Sequence, residues 1–243
     1  MNTQPRLRMF AGPNGSGKST LTAAINPRLL GVYVNPDEIE KTIVRFGFLD
    51  LSAYGVVCDA EEILSFFRTS SLLKKAGMQD EAACLTFTDN KLDFYAVMVN
   101  AYFASVASDF IRQKLLQQKT AFTFETVMSY HDKVELLKQA QQHGFKTCLY
   151  YVATEDPAIN ISRVRYRHLK GGHDVPKDKI ESRFYRSLRL LPEALKYCHQ
   201  AYFFDNSGVG TSWIAEMNHK QQLVVKTDRM PLWFQDYVLP HFK

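Results

Sequence analysis

The chain has 243 residues, 46% of them apolar, and a formal net charge of +5. That length suits one sizeable α/β domain or a domain carrying an insertion, with an ordinary buried core. The longest apolar runs, such as Leu149-Tyr150-Tyr151-Val152-Ala153, are far too short to span a bilayer, so no membrane role is expected. The first residues, Met1-Asn2-Thr3-Gln4-Pro5-Arg6, have no apolar core of a signal peptide. Four cysteines (58, 84, 148 and 198) form no C-x-x-C pair. Free thiols in a reducing cytoplasm are expected, not disulfides or zinc. Seven histidines show no H-E-x-x-H or similar ligand spacing.

In chain order, residues 6–11 read as a short strand. It enters Gly12-Pro13-Asn14-Gly15-Ser16-Gly17-Lys18-Ser19, a complete G-x-x-x-x-G-K-S phosphate-binding loop, followed by Thr20 and a helix over 19–25. Glycine backbone N–H groups can approach phosphate oxygens because no Cβ intervenes. Lys18 would reach the β- and γ-phosphates of ATP and Ser19 would ligate Mg²⁺. Residues 31–35 read as a second strand, and Pro36 opens a helix with Asn35 as its cap. Residues 56–78 read as helix and 85–88 as a short strand or loop. Residues 92–118 read as one long amphipathic helix, with Tyr95, Val99, Tyr102, Val106 and Phe110 as its core stripe.

A strand is expected over 120–126, and a helix over 131–143 stopped by Gly144. A strand follows at 146–153. Asp156-Pro157 then opens a helix towards 169. Lys170-Gly171-Gly172-His173-Asp174-Val175 breaks it, and Pro176 starts another helix to about 190. Residues 201–205 form a strand ending in Asn206-Ser207-Gly208, and 209–243 add a hairpin or strand and a terminal helix. Strands alternating with helices predict an α/β fold, a mostly parallel sheet with helices on both faces. The whole chain is expected to be a single P-loop kinase domain, with a helical insertion near 47–118 and an extension near 209–243.

Phosphate-loop kinases need a base for the acceptor hydroxyl, Mg²⁺ ligation, an arginine-bearing lid and a substrate pocket. In open α/β sheets these groups lie beyond the strand C-termini. Asp37, after the second strand, and Glu125, closing the third, meet that requirement. Asp37 also suits a helix N-terminal acid favoured by the dipole. Residues 160–190 hold nine Lys/Arg against three acids, a net +6, which suits a lid over a polyanion or a nucleic-acid patch. Arg163 and Arg167 are four apart, on one helix face. His173 would contact phosphate or cap the glycine bend. Asn90-Lys91-Leu92-Asp93 matches the guanine-reading N-K-x-D, but no D-x-x-G lies between it and the phosphate loop. Asn90 is therefore read as turn and helix-start chemistry.

Several of these stretches together resemble zeta-toxin domain proteins. They are the loop through Thr20, Asn35-Pro36-Asp37-Glu38-Ile39, Phe124-Glu125-Thr126, residues 163–176 with Gly-Gly-His-Asp-Val-Pro, Arg183 to Ser187, and Asp205-Asn206-Ser207-Gly208. The resemblance covers about residues 6–208. It implies a bacterial phosphate-loop kinase related in fold to chloramphenicol phosphotransferase. The best-known members phosphorylate UDP-N-acetylglucosamine and are blocked at the ATP site by a partner antitoxin. By resemblance, the loop Gly12 to Thr20 binds nucleotide and Asp37 is the base. Glu125, with Thr126 beside it, holds substrate hydroxyls or supports the metal. Arg163 and Arg167 form the lid, and Asn206 lies near the adenine. The resulting expectation is an ATP- and Mg²⁺-dependent kinase acting on a hydroxyl, most readily that of a nucleotide sugar. The alternatives are an antibiotic or metabolite kinase, a polynucleotide kinase, and a non-catalytic ATP-binding regulatory module.

Overall fold

A computed structural model describes residues 4–171 and 175–242. In chain order it contains β1 (Arg6–Ala11), α1 (Lys18–Ala23), α2 (Pro27–Leu30), β2 (Val32–Val34), α3 (Pro36–Phe46), β3 (Phe48–Asp50) and a 3-10 turn (Leu51–Tyr54). There follow α4 (Ala60–Arg68), α5 (Ser71–Lys75), α6 (Gln79–Ala83), β4 (Thr86–Thr88), β5 (Lys91–Asp93), α7 (Ala101–Gln117), β6 (Phe122–Thr126), α8 (Asp132–Gln142) and β7 (Lys146–Ala153). Last come α9 (Pro157–Leu169), α10 (Lys177–Leu195), β8 (Gln200–Asp205), β9 (Ser212–Met217), β10 (Leu223–Val225), α11 (Leu232–Tyr237) and a 3-10 turn (Leu239–His241). The chain forms two compact units. One holds the residues up to Leu30 and from Thr123 onward, and the other is Gly31–Phe122.

The sheet of the first unit runs β10-β9-β8-β7-β1-β6. β1 pairs parallel with β7, and β7 with β8, while β9 and β10 continue antiparallel. β7 is buried along almost its whole length, as befits a parallel strand covered on both faces. The Tyr151 hydroxyl lies 3.0 Å from Ser187 Oγ on α10. The rings of Tyr151 and Trp233 lie 5.8 Å apart, and those of Phe203 and Phe234 5.4 Å. The extension after Gly208, a hairpin and a terminal helix as expected, therefore belongs to this unit's core.

In the second unit, Asn35 caps α3 by accepting from Asp37 N–H at 2.9 Å, and Ile39 and Ile43 face inward. Residues 56–78 are two helices, because the Ser70 hydroxyl accepts from Leu73 N–H and starts α5 afresh. The expected helix over 92–118 is corrected. Asp89 and Asn90 both have positive φ (51° and 60°) and join β4 to β5, the pattern of a two-residue hairpin turn. The Asn90 amide donates to Ser52 Oγ and Val56 O, each at 2.8 Å. Lys91 thus opens a strand, not a helix. α7 begins only at Ala101, where Asn100 accepts from Tyr102 N–H at 2.9 Å. Of the expected stripe Val106 and Phe110 are buried, whereas Tyr95 is 79% and Tyr102 44% exposed. The interior is instead a cluster of Phe67, Phe94 and Phe103, with ring centroids 6.1–6.4 Å apart.

All four cysteines are free. Burial, then the nearby Glu62 carboxylate, pushes the Cys58 thiol up to about 11; burial also raises Cys148 and Cys198. These three thiols stay protonated and unreactive at neutral pH. Among the described residues no helix is long and apolar enough to cross a membrane.

Candidate active site

The C-terminal ends of β1, β6, β7 and β8 in the first unit each contribute to one constellation, where an open α/β sheet places its ligands. β1 delivers the loop 12–17. Gly12 has φ +145°, and a Cβ there would lie 2.0 Å from Val152 O on β7. Gly17 has φ +100°, and its Cβ would lie 2.2 Å from Asn206 Nδ2. Both positions therefore exclude a side chain by conformation and by contact with a neighbouring segment.

Two asparagines hold the loop. Asn160 is fully buried on α9, donates to Asn14 O and accepts from the Thr154 hydroxyl. Asn206, after β8, donates from Nδ2 to Ser16 O at 2.8 Å and accepts from the Thr211 hydroxyl at 3.2 Å. Asp205 completes that turn by accepting from Ser207 N–H and Oγ–H. It also accepts from the indole N–H of Trp233 at 3.0 Å.

Lys18 Nζ donates to Gly12 O at 2.8 Å and to Pro13 O at 2.9 Å, so its ammonium lies over the loop. The Ser19 hydroxyl donates to Glu125 Oε2 and the Thr22 hydroxyl to Glu125 Oε1, both at 2.8 Å. Ser19 and Thr22 are one turn apart on α1, so their hydroxyls share a face. A carboxylate bridging the loop serine fits a hard cation, which takes oxygen ligands. Ser19 could supply one such ligand, with phosphate oxygens and water supplying others and Glu125 orienting the hydroxyl. Ser16 Oγ and Asn14 Oδ1 are buried without a hydrogen-bond partner. Such atoms are costly unless a ligand satisfies them. The Ser16 hydroxyl could donate to an oxyanion, whereas Asn14 Oδ1 is an acceptor and would need a donor.

No family model matches the chain. An uncharacterized protein of Haemophilus influenzae is 28% identical over 69 residues, 28% of this chain and 49% of that protein. Among solved structures, the AvrRxo1-ORF1:-ORF2 complex with ATP matches at TM-score 0.58 and 15% identity, over 100% of this chain and 66% of that one. The PezAT chromosomal toxin-antitoxin system of Streptococcus pneumoniae matches at TM-score 0.51 and 14% identity, over 97% of this chain and 79% of that one. The chain shares the fold of these two structures. It spans just under two thirds of the AvrRxo1 chain and about half of the Haemophilus protein.

Within this fold, Gly12 to Ser19, Glu125, Arg163 and Asn206 come together in the first unit. Arg163 donates to Asn206 O at 2.8 Å and to Gly208 O at 3.4 Å, so its guanidinium braces the 206–208 turn. Arg167, in the last turn of α9, is exposed. Thr126 uses its hydroxyl to accept from Met128 N–H at 3.0 Å, a turn role. Thr20 is exposed and Pro13 buried. Asp37 is exposed in the first turn of α3, in the second unit. His173 lies outside the described residues. Thr22 and Asn160 were missed by sequence reasoning. The spacing of Thr22 from Ser19 was a usable signal for the first; nothing local marked Asn160.

Proposed function

We propose that this chain is an ATP- and Mg²⁺-dependent kinase that passes the γ-phosphoryl group to a hydroxyl of a small molecule, a nucleotide sugar such as UDP-N-acetylglucosamine being the first choice. The observation that carries this reading is Glu125 bridging the Ser19 and Thr22 hydroxyls beside the loop that Lys18 covers. Bound Mg²⁺ would neutralise charge on the phosphates. Lys18 would exchange its two carbonyl acceptors for phosphate oxygens. Ser16 Oγ, buried and unpartnered, would donate to one of them. Ser19 would hold the metal with Glu125 behind it, and Asp37 would take the acceptor proton. Arg163 and Arg167 would serve as the lid arginines, and His173 would contact phosphate. Asn206 would set the nucleotide end of the loop. The motif resemblance supports the nucleotide-sugar acceptor, which residues 47–118 would select within a single kinase domain acting in the cytoplasm. A partner protein is supported by the neighbours, one solved with ORF2 and one a toxin-antitoxin system; the motif resemblance would place it over the nucleotide site.

The test is purified protein with Mg²⁺-ATP and a panel of nucleotide sugars, antibiotics and oligonucleotides, read by mass spectrometry. Phosphorylated UDP-N-acetylglucosamine is expected. Turnover should fall about a thousandfold in Lys18→Ala and about a hundredfold in Glu125→Gln, the scale of losing one preorganised electrostatic contact. ATP binding without transfer to any acceptor would overturn the kinase reading in favour of a binding module.

A further inference from the structure

The chain leaving β6 does something unusual directly after Glu125. Met128 is fully buried and has φ +52°, a left-handed conformation that costs a residue with a long side chain about 1 kcal/mol or more. The Thr126 hydroxyl fixes the turn by accepting from Met128 N–H. The result is that Ser129, Tyr130 and His131 line a cleft of about 310 Å³, whose opposite wall is Arg186, Arg189 and Leu190 of α10. Ser129 is 7% exposed, and its hydroxyl makes no hydrogen bond among the described residues.

The charge in this cleft is one-sided. Arg186 and Arg189 are three apart and so neighbours on α10, an arrangement that repels. Neither has a carboxylate partner among the described residues. The Arg186 guanidinium carbon sits 4.8 Å from the centre of the Tyr130 ring, and its Nε donates to Ser182 O at 3.3 Å. Stacking on the ring fixes the plane of the guanidinium and leaves its terminal N–H groups for a ligand. The nearby acid, Glu193, is engaged by His131 Nε2 at 2.7 Å. The oriented guanidinium of Arg186, the exposed one of Arg189 one turn on and the Ser129 hydroxyl make a receptor for phosphate oxygens, which arginine binds bidentately.

We infer that this cleft binds the phosphate or pyrophosphate group of the acceptor, so that the substrate is recognised by an anion held apart from the transferred phosphoryl group. The assignment to the acceptor rests on the kinase reading above. Ser129 is four residues beyond Glu125, so their Cα atoms lie within ~14 Å of each other. That bound keeps the cleft within reach of an acceptor whose reacting hydroxyl lies near Glu125.

The experiment is calorimetric titration of inorganic pyrophosphate into the full chain, with the phosphate loop filled by a non-hydrolysable ATP analogue and Mg²⁺. Wild type is expected to bind. The double variant Arg186→Ala, Arg189→Ala should bind at least tenfold more weakly, with the same affinity for the analogue. Equal pyrophosphate binding in the double variant, or none in wild type, overturns the proposal. If the double variant unfolds at lower temperature, the exposed Arg189→Ala alone decides, and a several-fold loss is expected. UDP-N-acetylglucosamine should displace pyrophosphate while N-acetylglucosamine should not. Pyrophosphate that no nucleotide sugar displaces overturns the acceptor assignment. Failure of wild type to bind the analogue would instead sink the kinase reading, and the same titration into Lys18→Ala without analogue would still decide the cleft.

Discussion

In the first unit the loop over 12–17 is held by polar side chains reaching backbone atoms far away in sequence. Asn160 reaches Asn14 O and Asn206 reaches Ser16 O. In the second unit the interior is three phenylalanines, Phe67, Phe94 and Phe103, packed ring against ring, with helix starts fixed by local caps at Asn35, Asp59, Ser70 and Asn100. The loop depends on directional bonds to a few atoms, and the aromatic cluster on area removed from water. Damage to the first should therefore appear in ligand binding, and damage to the second in stability.

The largest effect should come from Phe67→Ala. It removes a fully buried ring and should cost about 3–5 kcal/mol of unfolding free energy, measured by urea denaturation. Protein that remains folded should keep its affinity for the ATP analogue; a parallel loss of affinity would break the contrast. Asn206→Ala should do the reverse. Losing the bond to Ser16 O should cost about 1–3 kcal/mol in loop order, read as roughly tenfold or more weaker analogue binding with little change in the unfolding midpoint. Asn100→Ala sharpens the comparison at its small end. It deletes the α7 cap and should cost about 1 kcal/mol, seen in denaturation and absent from nucleotide titrations.

The same contrast explains what could be read from the sequence. The 12–19 motif stood out because glycine, lysine and serine at that fixed spacing have few other uses. β1 and β7 were legible to the residue, as apolar runs between turn signals. The 92–118 stretch was misread because helical spacing of aromatics was given more weight than Asp89-Asn90 and Asn100, whose turn and cap chemistry decides where the helix can begin. Glu125 was found as a carboxylate at a strand end. Its attachment to Ser19 and Thr22 depends on strand order, which no local pattern carries. Arg163 was found as a cation, but the carbonyls it braces come from a turn more than forty residues later.

The chain has two tryptophans, and they stand in opposite surroundings. Trp213 is 43% exposed, with the Lys226 ammonium 5.0 Å from its ring. Trp233 is 3% exposed and bonded through its indole N–H to Asp205, next to the residue that holds the loop carbonyl. Indole emission shifts to the blue in apolar surroundings and to the red in water, so the spectrum divides into a blue part from Trp233 and a red part from Trp213. A ligand that tightens the 205–207 turn should act on both parts, through the Asp205 bond to Trp233 and through Phe204, which pairs with and stacks on Trp213. The protein thus carries two built-in optical reporters, one on each side of the 205–207 turn.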